Sequence, residues 1–161
     1  MDSERETFDT LVRAHQEWVQ RFASRMLGGN APEGSAIAVE AFLRLWKQRR
    51  LVADPRPWLA RTTYRLCLDA LRGQPAACMG LDESLEGLPI DPEQNVLSQA
   101  VRRAVSDLPE TQRAVLILSV YEQMSYEEIS RALAIPIGTV GSRKNLAIAS
   151  LRRSLAAWEE A

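Results

Sequence analysis

A segment without a basic residue divides this chain of 161 residues into two parts. Residues 73–95 contain three glycines, three prolines and five acidic residues, but no lysine or arginine. Glycine and proline interrupt regular structure, and this composition is typical of a linker. The segment therefore predicts two small folded domains, at residues 1–73 and 96–161, joined by a flexible acidic linker at 74–95.

Both flanking parts have the hydrophobic spacing of helices. Phe8, Leu11, Val12, His15 and Val19 recur at intervals of three and four residues, which places them on one face of a helix. No segment alternates apolar and polar residues over the length of a half-buried strand. Hydrophobic residues make up 46% of the chain, enough to form real cores. We therefore predict an all-α protein.

Turn and capping residues set the predicted ends of the helices. Gly28 and Gly29 end the first helix, and Pro55 and Pro57 form a turn before the third. Ser125 and Glu128 have the spacing of a capping box, which begins a short helix. The later predicted helices cover residues 33–49, 58–71, 96–108, 111–121, 126–134 and 139–158.

The last two predicted helices, joined by a tight turn at 135–138, form a helix-turn-helix. The second helix of such a unit enters the major groove and reads bases with its first turns. Val140 is predicted to face the core. The residues that suit phosphates and base edges are Thr139, Ser142, Arg143, Lys144 and Asn145. A helical hairpin with a solvated polar face is an alternative that this pattern leaves open.

The charge pattern fits binding to a polyanion. Residues 1–72 carry 12 basic and 9 acidic residues, and residues 98–161 carry 8 and 7. Two mildly basic domains therefore flank an acidic linker. The chain has one histidine, no glycine-rich phosphate loop and no paired acid–base cluster, so we expect neither an enzyme nor a cofactor.

The two cysteines and the apolar segments indicate an ordinary soluble protein. Cys67 and Cys78 lack the spacing of metal ligands and are predicted to be a buried thiol and a linker thiol. His15 is predicted to be a surface histidine rather than a metal ligand or base. No apolar stretch is long enough to span a bilayer, and the first 30 residues do not resemble a signal peptide. We expect a cytoplasmic protein without metal.

The C-terminal part resembles the fourth region of extracytoplasmic-function (ECF) sigma factors of bacterial RNA polymerase. Residues 108–115 (LPETQRAV), 125–129 (SYEEI), 135–140 (IPIGTV) and 142–143 (SR) follow the order and spacing of that region. The resemblance implies that the second domain binds the duplex minus-35 element of promoters through Thr139, Ser142, Arg143, Lys144 and Asn145.

The N-terminal part resembles the second region of the same family, through residues 40–46 (EAFLRLW), 57–59 (PWL) and 68–72 (LDALR). The resemblance implies a helical domain that docks on core polymerase and opens the minus-10 element. Residues expected to contact polymerase are Glu40, Arg44 and Lys47. Those expected to contact minus-10 DNA are Arg56, Arg61, Arg65 and Arg72. The implied partners are core polymerase, promoter DNA and an anti-sigma factor, with a chain that is monomeric when free.

Three segments depart from the family pattern. The acidic run before residue 41 is reduced to its ends in 33–40, and Arg65 replaces a common asparagine. In the recognition helix, Gly141, Leu146 and Ile148 replace basic residues, which predicts weaker and less salt-dependent DNA binding. The alternatives are a sigma-like decoy that binds an anti-sigma partner without opening promoters, and a simple helix-turn-helix regulator, which would not explain the N-terminal part.

Overall fold

The computed structural model describes residues 2–73 and 92–160, and every regular element within them is helical. The elements are α1 (Asp2–Met26), α2 (Ala31–Gln48), α3 (Pro55–Leu71), α4 (Pro92–Ser106), α5 (Glu110–Leu116), a π-helical segment (Ile117–Tyr121), α6 (Tyr126–Leu133) and α7 (Ile137–Glu160). The prediction of an all-α protein with two helical domains is confirmed. Residues 74–91, which hold most of the predicted linker and Cys78, lie outside the described residues.

Helices α1, α2 and α3 pack around a shared apolar core. Phe22, Met26, Ile37, Leu45 and Leu59 are fully buried there, and each contributes about 1.5–3 kcal/mol through burial. Two glycines in the left-handed conformation, with φ of 75° and 88°, end α1 as predicted. The chain can therefore turn back at once and pack α2 against α1.

Cys67 belongs to this core, so the prediction of a buried thiol is confirmed. Burial raises the pKa of the thiol to about 12, which keeps it protonated and unreactive at neutral pH. His15 differs from its prediction as a surface residue. It is half-buried, and its Nδ1 accepts a hydrogen bond of 2.8 Å from Nε1 of Trp18.

Several helices begin earlier than predicted. Asp54 is the N-cap of α3, and its carboxylate accepts a hydrogen bond of 3.3 Å from the Arg56 amide. Pro55 and Pro57 lie inside the first turn. Backbone N–H groups there have no acceptor within the helix, so a proline costs no hydrogen bond. For the same reason α4 begins at Pro92 rather than at residue 96. It ends at Ser106, two residues before the predicted end.

Gly34 allows α1 and α2 to approach closely. A Cβ atom at this position would lie 2.7 Å from the backbone nitrogen of Ser24 and 2.9 Å from its Cα. Real Cβ atoms do not come this close to backbone, so any side chain at residue 34 would push the helices apart. Gly34 is therefore required by the packing of α2 against α1.

Gly34→Ala is expected to lower the free energy of unfolding by about 1–3 kcal/mol, the usual range for overpacking a core. Urea unfolding followed by circular dichroism measures the change. Gly138→Ala is the control, because a Cβ atom on this residue of α7 would have no other atom within 4 Å. The control should be neutral or stabilising by up to about 1 kcal/mol. Equal effects of both substitutions would contradict the proposed close approach.

The C-terminal domain is built on α5, α6 and α7. Val115, Leu118, Ile129, Val140 and Ala147 are fully buried between them. The predicted helix 111–121 is not uniform, because its second half, Ile117–Tyr121, is π-helical. A π-helical turn changes the register of the side chains that follow, and such turns are frequent at functional sites.

The two domains contact each other in this structure. The guanidinium of Arg113 on α5 donates a hydrogen bond to the backbone oxygen of Met26, the last residue of α1. It also donates to the oxygens of Ser106 at 2.6 Å and Leu108 at 2.9 Å. A side chain of one domain thus satisfies a carbonyl at the helix end of the other.

Candidate nucleic-acid interface

A helix-turn-helix is formed by α6, a short turn and α7. The capping box that begins α6 is present: Ser125 Oγ accepts from the Glu128 amide at 3.1 Å, and Glu128 Oε1 accepts from the Ser125 amide at 3.3 Å. Ala134 ends α6 in the left-handed conformation with φ of 55°. These local interactions fix the short α6 and direct the chain into α7.

The first turns of α7 present a polar face to solvent. Val140 and Ala147 are fully buried against the domain core, as predicted for Val140. Ser142 and Asn145 are exposed on the other side. Thr139, Arg143 and Lys144 are half-buried. Helix α7 begins at Ile137, two residues before its predicted start, so Gly138 belongs to its first turn.

The departures from the family pattern fall on two different faces of α7. Leu146 is 55% exposed and lies next to the exposed Asn145. A basic residue there would point into solvent. Ile148 is instead packed against the hydrophobic core. Of these two positions, only that of Leu146 is exposed enough for a basic side chain to reach a phosphate.

Tyr126 is a residue of this surface that sequence reasoning assigned only to the capping motif. Its ring lies 5.4 Å from Nζ of Lys144, within range of a cation–π interaction. A Cβ atom on Gly141 would lie 3.6 Å from Cε2 of Tyr126, an ordinary van der Waals distance. The Lys144 ammonium therefore lies close to the Tyr126 ring. The Tyr126 ring also lies next to Gly141.

Three of the four arginines predicted to contact minus-10 DNA share a surface. Arg61, Arg65 and Arg72 are exposed, and their spacing of four and seven residues places them on one side of α3. Arg56 is separated from them. Its Nη2 donates to the backbone oxygen of Glu122 at 2.7 Å, and its Nε lies 3.8 Å from Glu128 Oε2.

The residues predicted to contact polymerase lie along α2. Glu40 and Arg44 form an ion pair with a distance of 3.0 Å between Oε1 and Nε, and Lys47 is exposed one turn further on. Exposed ion pairs contribute only about 0.3–0.5 kcal/mol, so this pair is not needed for stability. Val39 and Leu43 are exposed beside it, which gives α2 a mixed apolar and charged surface.

A charge of the recognition helix affects the pKa of a tyrosine in the N-terminal domain. Burial raises the pKa of Tyr64 on α3, and Glu110 raises it further, whereas Arg143 and Arg72 lower it. Arg143 therefore lies near enough to Tyr64 for their charges to interact.

None of the described helices combines the length and the hydropathy that crossing a membrane requires. Within residues 2–73 and 92–160, no three histidine, cysteine or acidic side chains gather in an arrangement that could hold a metal ion.

Comparisons with known proteins agree with this architecture. The family described as Sigma-70 region 2 matches residues 11–75, and the family Sigma-70, region 4 matches residues 98–151. The ECF RNA polymerase sigma factor SigE of Mycolicibacterium smegmatis is 34% identical. That match covers 93% of this chain and 62% of the relative, so this chain spans less than two thirds of that protein.

Two further relatives extend the comparison. The RNA polymerase sigma-E factor of Streptomyces coelicolor is 30% identical over 93% of this chain and 86% of its own length. The sigma factor RpoE of Bartonella quintana, solved in complex with the anti-sigma factor NepR, shares the fold. Its TM-score is 0.72, at 17% identity, over 94% of this chain and 98% of that one. This chain therefore belongs to the ECF family of RNA polymerase sigma factors.

Proposed function

We infer that this protein is an alternative sigma factor that directs RNA polymerase to particular promoters. The observation that carries this inference is the order of the two domains: a region 2 helical domain followed by a region 4 helix-turn-helix with a solvent-facing recognition helix. Such factors act by binding and positioning, so the protein has no catalytic residues of its own in this proposal.

We propose that the two domains divide promoter recognition. Residues 96–161 bind the duplex minus-35 element through the first turns of α7, whose polar side chains suit the major groove. Residues 1–73 bind the minus-10 element through Arg61, Arg65 and Arg72, since a melted strand requires a cationic surface along its backbone. Residues 74–95 connect the two domains.

Core polymerase is the proposed protein partner of α2. Glu40, Arg44 and Lys47 form its charged part, and the exposed Val39 and Leu43 add apolar area, a combination typical of protein interfaces. An anti-sigma factor is a further proposed partner, by analogy with the NepR complex of the relative from Bartonella quintana. We place the monomeric protein in the cytoplasm, where polymerase and promoters are found.

Run-off transcription with purified core polymerase and a panel of promoter fragments tests the proposed function. A sigma factor should yield transcripts that depend on both this chain and the promoter sequence. Tight binding to an anti-sigma factor without transcripts, from a chain shown to be folded, would favour the decoy function instead.

Arg143→Ala is expected to weaken binding to minus-35 duplex DNA. Loss of one phosphate contact reduces the slope of log K against log salt by about 0.9, or about eightfold in affinity at 0.1 M salt. Fluorescence anisotropy over several salt concentrations measures both quantities. Arg152→Ala is the matched control, because Arg152 is exposed on the same helix about 13 Å further along. Unchanged affinity and slope in Arg143→Ala would refute this role.

A further inference from the structure

A buried carboxylate lies where the two domains meet. The side chain of Glu122, which follows the π-helical segment of the C-terminal domain, is 3% exposed. Its Oε2 lies 3.3 Å from Nη2 of Arg21, and its Oε1 lies 3.6 Å from Nη1 of Arg25, both on α1. Arg56 of α3 binds the backbone oxygen of the same residue. Three arginines of the N-terminal domain thus converge on one glutamate of the other domain.

The backbone around Glu122 holds the carboxylate in this position. The Glu122 amide donates to the oxygen of Ile117 at 3.1 Å, which closes the π-helical segment. Gln123 then takes the left-handed conformation with φ of 53°, which is uncommon for a residue other than glycine. The preceding Tyr121 lies under Arg25, with 4.0 Å between the guanidinium carbon and the ring centre. The C-terminal domain therefore meets the arginines with an anion and an aromatic face.

The arginines leave one oxygen of the Glu122 carboxylate without a hydrogen bond. Among the described residues, no group donates a hydrogen bond to Oε1 of Glu122, and Arg25 is near it only as an ion pair. A buried oxygen without a donor is unfavourable, because it has lost its hydrogen bonds to water. Separation of the domains would remove Glu122 and Glu128 from the arginines and leave Glu17, which is 83% exposed, as their paired acid on α1. The N-terminal domain alone would then carry a cluster of positive charge.

We propose that Arg21, Arg25 and Arg56 form a binding site for the backbone phosphates of nucleic acid, and that Glu122 occupies this site in place of a phosphate while the domains are in contact. Guanidinium groups match the geometry of phosphate and of carboxylate alike, so one anion can replace the other. This inference rests on the proposed function, because the nucleic acid would be promoter DNA.

The geometry of a promoter requires the two domains to separate. The minus-10 and minus-35 elements are centred about 25 base pairs apart, or about 85 Å at about 3.4 Å per base pair. A compact chain of 161 residues has a radius of gyration of about 15 Å and a diameter of about 40 Å. One chain therefore reaches both elements only after the domains separate. That separation uncovers the arginine site on the domain that faces the minus-10 DNA.

Glu122→Gln in the full chain tests the proposal, with a fluorescent single-stranded oligonucleotide as the probe. The amide keeps the shape of the side chain but removes the charge that competes with phosphate. We expect binding about 5- to 25-fold tighter at 0.1 M salt, which corresponds to one or two additional contacts with a single strand. Glu127→Gln is the control, because Glu127 is an exposed residue of α6. It should bind like the unmodified chain.

A second substitution identifies the site. Arg25→Gln added to Glu122→Gln should cancel most of the gain in oligonucleotide affinity. Arg25 lies on α1 and is not one of the arginines assigned to minus-10 DNA, so this loss would be specific to the proposed site. Hydrogen exchange of the unmodified chain provides a measurement without variants: added oligonucleotide should speed exchange of amides in 117–124. Unchanged affinity in a folded Glu122→Gln protein, or a gain that Arg25→Gln leaves intact, would overturn the proposal.

Run-off transcription separates this inference from the proposed function. Promoter-dependent transcripts from the unmodified chain, with no change in oligonucleotide binding in Glu122→Gln, would reject the phosphate site alone. A gain in oligonucleotide binding without transcripts from any promoter would support the phosphate site and reject the assignment as a sigma factor.

Discussion

Arg113→Ala should lower the free energy of unfolding by about 3–5 kcal/mol. Arg113 is 8% exposed, and its guanidinium donates hydrogen bonds to three backbone oxygens, those of Met26, Ser106 and Leu108. Each buried acceptor left without a donor is unfavourable by about 1–3 kcal/mol, and partial rearrangement recovers some of that energy. A loss of this size is a large part of the free energy of unfolding of a typical domain, which is about 5–15 kcal/mol.

Urea unfolding monitored by circular dichroism measures this effect. Arg103→Ala is the matched control, since Arg103 is an exposed arginine of α4 and its loss should change stability by less than about 0.5 kcal/mol. Lysine at position 113 should be intermediate in stability, because an ammonium cannot reach three separate oxygens with the geometry of a planar guanidinium. A stability of Arg113→Ala equal to that of the control would show that these carbonyls find other donors.

Two added basic residues should greatly strengthen minus-35 binding. In Gly141→Lys combined with Leu146→Arg, both positions gain a cation of the kind that the family pattern has on this helix. Leu146 is exposed, and a side chain on Gly141 meets Tyr126 at an ordinary contact distance, so both substitutions fit. Two further phosphate contacts steepen the salt slope by about 1.8 and tighten binding about 60-fold at 0.1 M salt.

Fluorescence anisotropy with a duplex promoter fragment, repeated between low and moderate salt, determines the slope and the affinity. Ser154→Arg is the control for added charge, because Ser154 is exposed on α7 beyond the first turns. It should leave the slope nearly unchanged. An equal gain in the control and in the double variant would mean that net charge, rather than the recognition face of α7, determines the affinity.

Local signals in the sequence are sufficient for most of the fold. Residues that act through their immediate neighbours, such as Ser125 with Glu128 or the paired glycines after α1, predict helix ends correctly. The prediction that the prolines at 55 and 57 form a turn outside α3 is wrong. A proline in the first turn and a proline before a helix have the same local pattern, and here the Asp54 cap places the helix start.

Features that depend on distant residues cannot be predicted from the sequence. No local pattern indicates the role of Gly34, because this role depends on Ser24 of another helix. The position of Glu122 depends on its ion pairs with the other domain, to which no short motif points. The candidate DNA surface is easier to predict, because its polar residues lie within seven consecutive positions of α7.

The hydrogen bond from Arg113 to the end of α1 makes each half of this chain depend on the other for one contact. Recombination within the linker would join an N-terminal half from one ancestor to a C-terminal half from another. The hybrid keeps this contact only if the new second half has arginine at the same position and the new first half ends its helix at the same place. We therefore expect such a hybrid to lose this contact between its domains unless both conditions are met.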